Sequence, residues 1–166
     1  MNQARAAIEA ARAAGADAYA PEEYKSAVAA LKHSEDSVEQ RDYRQALAYA
    51  LDSREQAQAA VRTAASEKAA ARSQSEAELR DLQGLLAQAQ TRLRGAQGPR
   101  ARRRILQTQQ RTVDTADAAV QKARAAMARQ DYLGARDAMR GVRDQLQAVI
   151  RQIVPFTEPS APKHRR

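Results

Sequence analysis

The sequence predicts an all-α protein: an elongated antiparallel helical bundle in which two three-helix lobes share one long central helix. Three observations carry this. Residues Tyr43 to Arg94 hold no proline, and only Gly84 interrupts a run of Ala, Leu, Gln, Arg, Glu and Ser. As a single helix that stretch would extend for about 78 Å, far beyond the usual three or four turns. Glycine and proline are scarce, 6 and 5 in 166 residues, which excludes most β architectures. Apolar residues recur at three- and four-residue steps before, within and after the long stretch.

In chain order, Asn2 to Ala14 reads as a short helix with Ile8 as its one large apolar residue, ended by Gly15 at the C′ position. Ala16 to Ala20 reads as a loop. Pro21 opens the second helix, where its missing N–H is not needed, and Glu22 and Glu23 suit the positive end of the helix dipole. That helix runs to about Gln40, with Tyr24, Val28, Leu31 and Val38 on one stripe. Asp42 is a good N-cap for the long helix. Tyr43, Leu47, Ala50 and Leu51 are expected to face back onto the second helix, as a short connection between antiparallel helices requires.

From Ala57 to Ala77 only Val61 is a large aliphatic, which predicts a thin waist near Ala64 to Ala71. A stripe returns at Leu79, Leu82, Leu86, Ala89 and Leu93. Gly95 to Pro99 is the strongest turn signal in the chain. A fourth helix, Arg100 to Gln130, repeats Leu106, Val113, Val120 and Met127 every seven residues, with Gln109, Ala116, Ala123 and Gln130 between them. Asp131 caps a fifth helix whose stripe runs from Tyr132 through Ala135, Met139, Val142, Leu146 and Val149 to Ile153, stopped by Val154-Pro155. The predicted division is an N-terminal lobe over 1–65, a C-terminal lobe over 66–154 and a disordered basic tail over 155–166. The alternative is one continuous four-helix bundle with the long helix broken near Gly84.

Hydrophobic residues make up 43% but are mostly alanine, and aromatics are 4%, so the core is expected to be thin and built from close helix contacts. With no cysteine there is no disulfide, thiolate metal site or cysteine nucleophile. No apolar run is long enough to span a bilayer, and no hydrophobic signal segment follows Met1, so the expectation is a cytoplasmic protein or one whose leader has been removed. The net charge of +8 is uneven: residues 1–95 carry 13 Lys/Arg against 14 Asp/Glu, and residues 96–166 carry 15 against 6.

The chain echoes itself. Gln40-Arg41-Asp42-Tyr43-x-x-Ala46 resembles Arg129-Gln130-Asp131-Tyr132-x-x-Ala135. In both, a polar helix end meets an Asp cap, then Tyr, then Ala three residues on. This describes the corner of a helical hairpin, the Tyr closing the turn and the Ala allowing close approach. Tyr19 and Pro21 mark a further corner.

The run Ala11 to Tyr24, with Gly15, Tyr19, Pro21 and Glu23 at set positions, followed by Asp42-Tyr43-x-x-Ala46, resembles a bacterial family of uncharacterised, alanine-rich cell-envelope lipoprotein domains. The likeness covers roughly residues 5 to 65. It implies a protein of the periplasm or outer membrane of a Gram-negative cell, tethered through a lipidated cysteine that this chain does not contain. Some members of the family carry an added OmpA-type peptidoglycan-binding domain, and the family implies no activity. The corner is also similar to that of tetratricopeptide repeats, whose helices are shorter and differently spaced.

For function, the residues point away from catalysis. The chain offers only two histidines, His33 and His164, and no nucleophile motif, phosphate-binding glycine loop or metal-ligand spacing is present. His33 has no second ligand one turn away. Glu35 and Glu39, or Glu76 and Glu78, read as solvated surface. No cofactor is expected. Arg100, Arg102, Arg103 and Arg104 sit at a helix N-terminus, where cations are disfavoured. They are candidate contacts for an anion or partner, but no base-reading motif or stacking platform accompanies them, which makes nucleic acid the lesser reading. Arg136, Arg140, Arg143 and Arg151 opposite an aliphatic stripe fit a bundle helix better than a membrane-surface one. The expected role is a non-enzymatic scaffold or adaptor that binds a protein partner, in the envelope or as a homodimer. The alternative is a binder of polyanions, nucleic acid or anionic lipid, through the arginine-rich second half.

Overall fold

The structure, a computed structural model, describes residues 1–96 and 100–157, and the side chains of these except 100–102 and 154–157. The described residues form seven α-helices and no strand: α1 Asn2–Ala13, α2 Ala16–Tyr19, α3 Pro21–Glu39, α4 Tyr43–Gly95, α5 Arg100–Ala128, α6 Tyr132–Met139 and α7 Val142–Thr157. Two compact units divide the chain, Met1–Ala71 and Arg72–Arg166.

The long helix is present. Its 53 residues run unbroken through Gly84, so the alternative break there does not occur. Gly84 is exposed, and a Cβ placed on it would meet no atom within 4 Å. A mid-helix glycine with free space loses backbone entropy without return. Gly84→Ala is therefore expected to stabilise the protein by about 0.5–1 kcal/mol, read as a higher urea midpoint.

In the first unit, α1 ends at Ala14 with Gly15 in the left-handed region, φ 83°, as its position predicted. Ala16 to Tyr19, expected as a loop, forms one helical turn, and Ala20 leads into Pro21 at the start of α3. The contact between α3 and the first half of α4 is made by small residues. Ala27, Ala30, Ser34 and Ser37 are buried on α3, and Ala46, Ala50, Ser53, Ala57, Ala60 and Ala64 on α4. Two hydroxyls cross the seam in opposite order: Ser34 Oγ donates to the carbonyl of Ala46 at 2.8 Å, and Ser53 Oγ to that of Ala27 at 2.8 Å. The helices are thus antiparallel and close enough for a serine on one to reach the backbone of the other.

This corrects the expected packing. Tyr43, Leu47, Leu51 and Val28 do not line the contact; all four are exposed. The physical reason is proximity. Alanine and serine at three- and four-residue steps let two backbones approach, so that contact is made along the whole seam. A leucine facing the same way would hold the axes apart. Ala64 and Ala71, placed in the expected waist, are buried.

The second unit packs conventionally. Leu82, Leu86 and Ala89 of α4, Val113, Ala116, Val120 and Ala123 of α5, and Met139, Leu146, Val149 and Ile153 of α6 and α7 form one buried cluster. The heptad row on α5 is confirmed, though its second row ends at buried Ala126 and not at Gln130, which is exposed. The fifth helix is two. Arg140 leaves the helical region (ψ 123°) and Gly141 takes φ 76°, so α6 ends and α7 begins. Met139 and Val142 are both buried across this break, which is why the stripe shows no interruption in sequence. The helix also does not stop before Pro155 but continues to Thr157. In a last turn proline removes one hydrogen bond, and no further turns depend on it. Of the expected tail, residues 158–166 lie outside the described residues, as do 97–99 of the Gly95–Pro99 turn.

Candidate functional site

The two echoed corners have the same backbone. Arg41 and Gln130 are the two described non-glycine residues with positive φ, 62° and 59°. Around each, the amide of the left-handed residue donates three residues back, to Val38 or Met127. The next amide, of Asp42 or Asp131, donates five back, to Ser37 or Ala126. This is the Schellman arrangement, which satisfies the last carbonyls of a helix. Each aspartate then caps the following helix: Asp42 Oδ1 accepts from the Gln45 amide at 3.0 Å, and Asp131 Oδ1 from the Gly134 amide at 2.8 Å. Ala46 and Ala135 are buried, as the close-approach role requires. Because glycine occupies the left-handed site without steric cost, Arg41→Gly is expected to raise stability by about 0.5–1 kcal/mol, read from urea unfolding.

The corners differ in what covers them. Tyr132 is 7% exposed and Tyr43 is 67% exposed. In the second unit α4 lies alongside: Ser75 Oγ donates to the Tyr132 carbonyl at 3.3 Å, and Arg143 reaches Asp81 at 3.1 Å. Arg72 also donates through Nε to Glu76 at 2.8 Å, and that bond holds its guanidinium above the usual range, with Tyr132 adding to the same effect. In the first unit α1 starts level with Arg54, whose side chain donates to Gln3 Oε1 at 3.0 Å. Among the described residues nothing comparable lies over Tyr43.

The residues that follow each tyrosine along its helix give the second contrast. One turn after Tyr132 comes Arg136, exposed on α6, and four residues further on Arg140 lies past the end of that helix. After Tyr43 come Leu47, 61% exposed, and Leu51, 48% exposed. The corner geometry tolerates solvated arginine one turn on, where the first unit carries Leu47. Leu47 and Leu51 border a groove of ≈ 340 Å³ with Met1, Gln3 and Arg54. Arg44 and Glu55, about three turns apart on α4, stand exposed on one flank of the row. Sequence reading placed these leucines inside. The signal that finds them is the uninterrupted Ala/Ser spacing from Ala46 to Ala64, which assigns the buried face to small residues.

The remaining candidates are distributed. Tyr19 is half-buried against the first unit's core, its ring lying beside Gly15, and Pro21 is exposed at the head of α3. These two and the corner residues have structural work in the turns. Arg103 and Arg104 are exposed in the first turns of α5, and the side chains of Arg100 and Arg102 lie outside the described residues. His33 is exposed and stacks obliquely on Tyr49, ring centroids 5.3 Å apart. Among the described residues no group of three or more His, Asp or Glu is placed to hold a metal ion, and no helix is long and apolar enough to cross a membrane.

Residues 1–75 match a family described as a domain of unknown function (DUF4398). The matched span and the first unit, Met1–Ala71, nearly coincide. It contains the Gly15–Pro21 turn, the first capped corner and the exposed leucine row. No curated protein and no solved structure matches the chain.

Proposed function

We propose that the protein is a non-enzymatic helical scaffold or adaptor that binds a protein partner through the first unit. The observation that carries this reading is the exposed row Tyr43, Leu47 and Leu51 beside a corner whose counterpart is covered by a helix. Two leucines and a tyrosine in line on a rigid helix offer the i, i+4, i+8 anchors that a partner helix can bury. The row has charges on its flank and not within it, the usual anatomy of an interaction patch.

The place of action we infer is the bacterial cell envelope. This rests on the resemblance carried by Ala11 to Tyr24 and the Asp42-Tyr43-x-x-Ala46 corner. Fractionation of cells expressing the native gene tests it: recovery in the periplasmic or outer-membrane fraction supports the envelope, and recovery in the cytosol removes it while leaving the scaffold.

The scaffold itself is tested by a photocrosslinking residue at position 47 in the native host. A discrete crosslinked species of defined mass is expected, absent when the probe is at Glu67, which is exposed on the opposite side of α4. No crosslink at 47 sinks the reading. A polyanion-binding role through the second half, where Arg103 and Arg104 are exposed, is the second reading. It predicts retention on heparin or DNA that falls steeply with salt.

A further inference from the structure

We propose that the partner on the Leu47–Leu51 row is a second copy of this chain, its α4 packed antiparallel across a two-fold axis on the leucine face at the level of residue 49. This rests on the scaffold reading and names its partner. The row is self-complementary. A two-fold axis midway between residues 47 and 51 sets Leu47 of one copy against Leu51 of the other, and the reverse, as an isologous interface requires. The same operation brings Arg44 within one residue of the facing Glu55, twice. It brings Tyr43 within one residue of the facing Arg54, where a guanidinium can lie on the phenol ring. Opposite charges therefore meet at both ends of an apolar centre. The ion pairs among the described residues engage neither Arg44 nor Glu55.

The second unit shows what such a corner accepts. Tyr132 is covered by a helix, the stretch of α4 around Ser75. A helix is what the uncovered Tyr43 corner lacks, and α4 of a second copy supplies one. One turn after its tyrosine the second unit carries exposed Arg136, so leucine at 47 is not demanded by the corner's own geometry. Its role is met by a surface that buries it.

Sedimentation of the full chain over a wide concentration range tests the proposal. A dimer that dissociates on dilution is expected. Leu47→Arg with Leu51→Arg, which places two cations on the apolar centre, is expected to weaken it by at least about a hundredfold. Helix content should be unchanged, because both positions are exposed. Arg44→Glu alone should weaken it about tenfold, and Arg44→Glu with Glu55→Arg should restore most of the loss. The reversed pair separates a specific antiparallel register from nonspecific stickiness. A monomer at every concentration up to about millimolar, or a dimer indifferent to the double arginine variant, overturns the proposal. If the chain is monomeric but position 47 crosslinks to a different protein, the scaffold reading survives and the second copy does not. If position 47 crosslinks to nothing, both fall.

Discussion

Ala57→Leu is expected to destabilise the first unit by about 3 kcal/mol, more than a surface substitution can account for. Ala57 is fully buried, one turn beyond Ser53 on the seam, in a cluster with Ile8, Ala11 and Ala27. Three added carbons have no cavity to enter. The α3 and α4 axes would have to separate, and the hydroxyl contacts of Ser34 and Ser53, each 2.8 Å to the opposite backbone, would lengthen with them. Each neutral bond is worth about 1 kcal/mol net, so their loss adds to the strain of overpacking. Urea unfolding followed by circular dichroism gives the overall loss, and amide exchange should place it in α3. A variant as stable as the wild type would mean that the seam is loose and that small residues are there for another reason.

Leu146→Ala should cost about 3–4 kcal/mol and act on the second unit. Leu146 is fully buried among Leu82, Val113, Val120 and Ile153, with packing on every side. Truncation removes three carbons' worth of buried contact and leaves a void, since helices pinned by neighbouring layers relax only partly. Val28→Ala is the matched control: Val28 is exposed, and its truncation should change stability by less than about 0.5 kcal/mol. If the two substitutions proved equally mild, α7 would not be docked as described.

The two expected effects have opposite signs of volume change because the units are held by different contacts. In the first, adding atoms is harmful; in the second, removing them is. The second unit buries leucine, valine, isoleucine and methionine and gains mainly from apolar area withdrawn from water. The first unit gains from many short-range contacts between closely spaced backbones, with serine hydroxyls satisfied by opposing carbonyls.

Legibility in the sequence follows that difference. The long helix, the caps at Asp42 and Asp131, the turn at Gly15 and the start at Pro21 are local matters, decided by residues within a turn or two, and each could be read directly. So could the buried rows of α5 and α7, where apolar size and burial coincide. The inward face of the first half of α4 could not be read by ranking hydrophobicity, because Leu47 and Leu51 outrank Ala46, Ala50 and Ser53 on any scale yet lie outside. The break at Gly141 was hidden because Met139 and Val142 keep the three-residue step across it. The arginines at the head of α5 were the visible candidates, and the leucine row was read as core. The Ala/Ser spacing from Ala46 to Ala64 is what marks the row as surface, and size alone hides it.

Taken alone, the order of residues determined where helices start and stop and the recurrence of one capped corner, because caps, left-handed turns and helical steps depend on near neighbours. Which side of a helix faces inward was decided only when helices met. Whether two axes close on alanine or stand apart on leucine is a property of the pair, and no single stretch of chain contains it. The exposure of Leu47 and Leu51 follows from that choice.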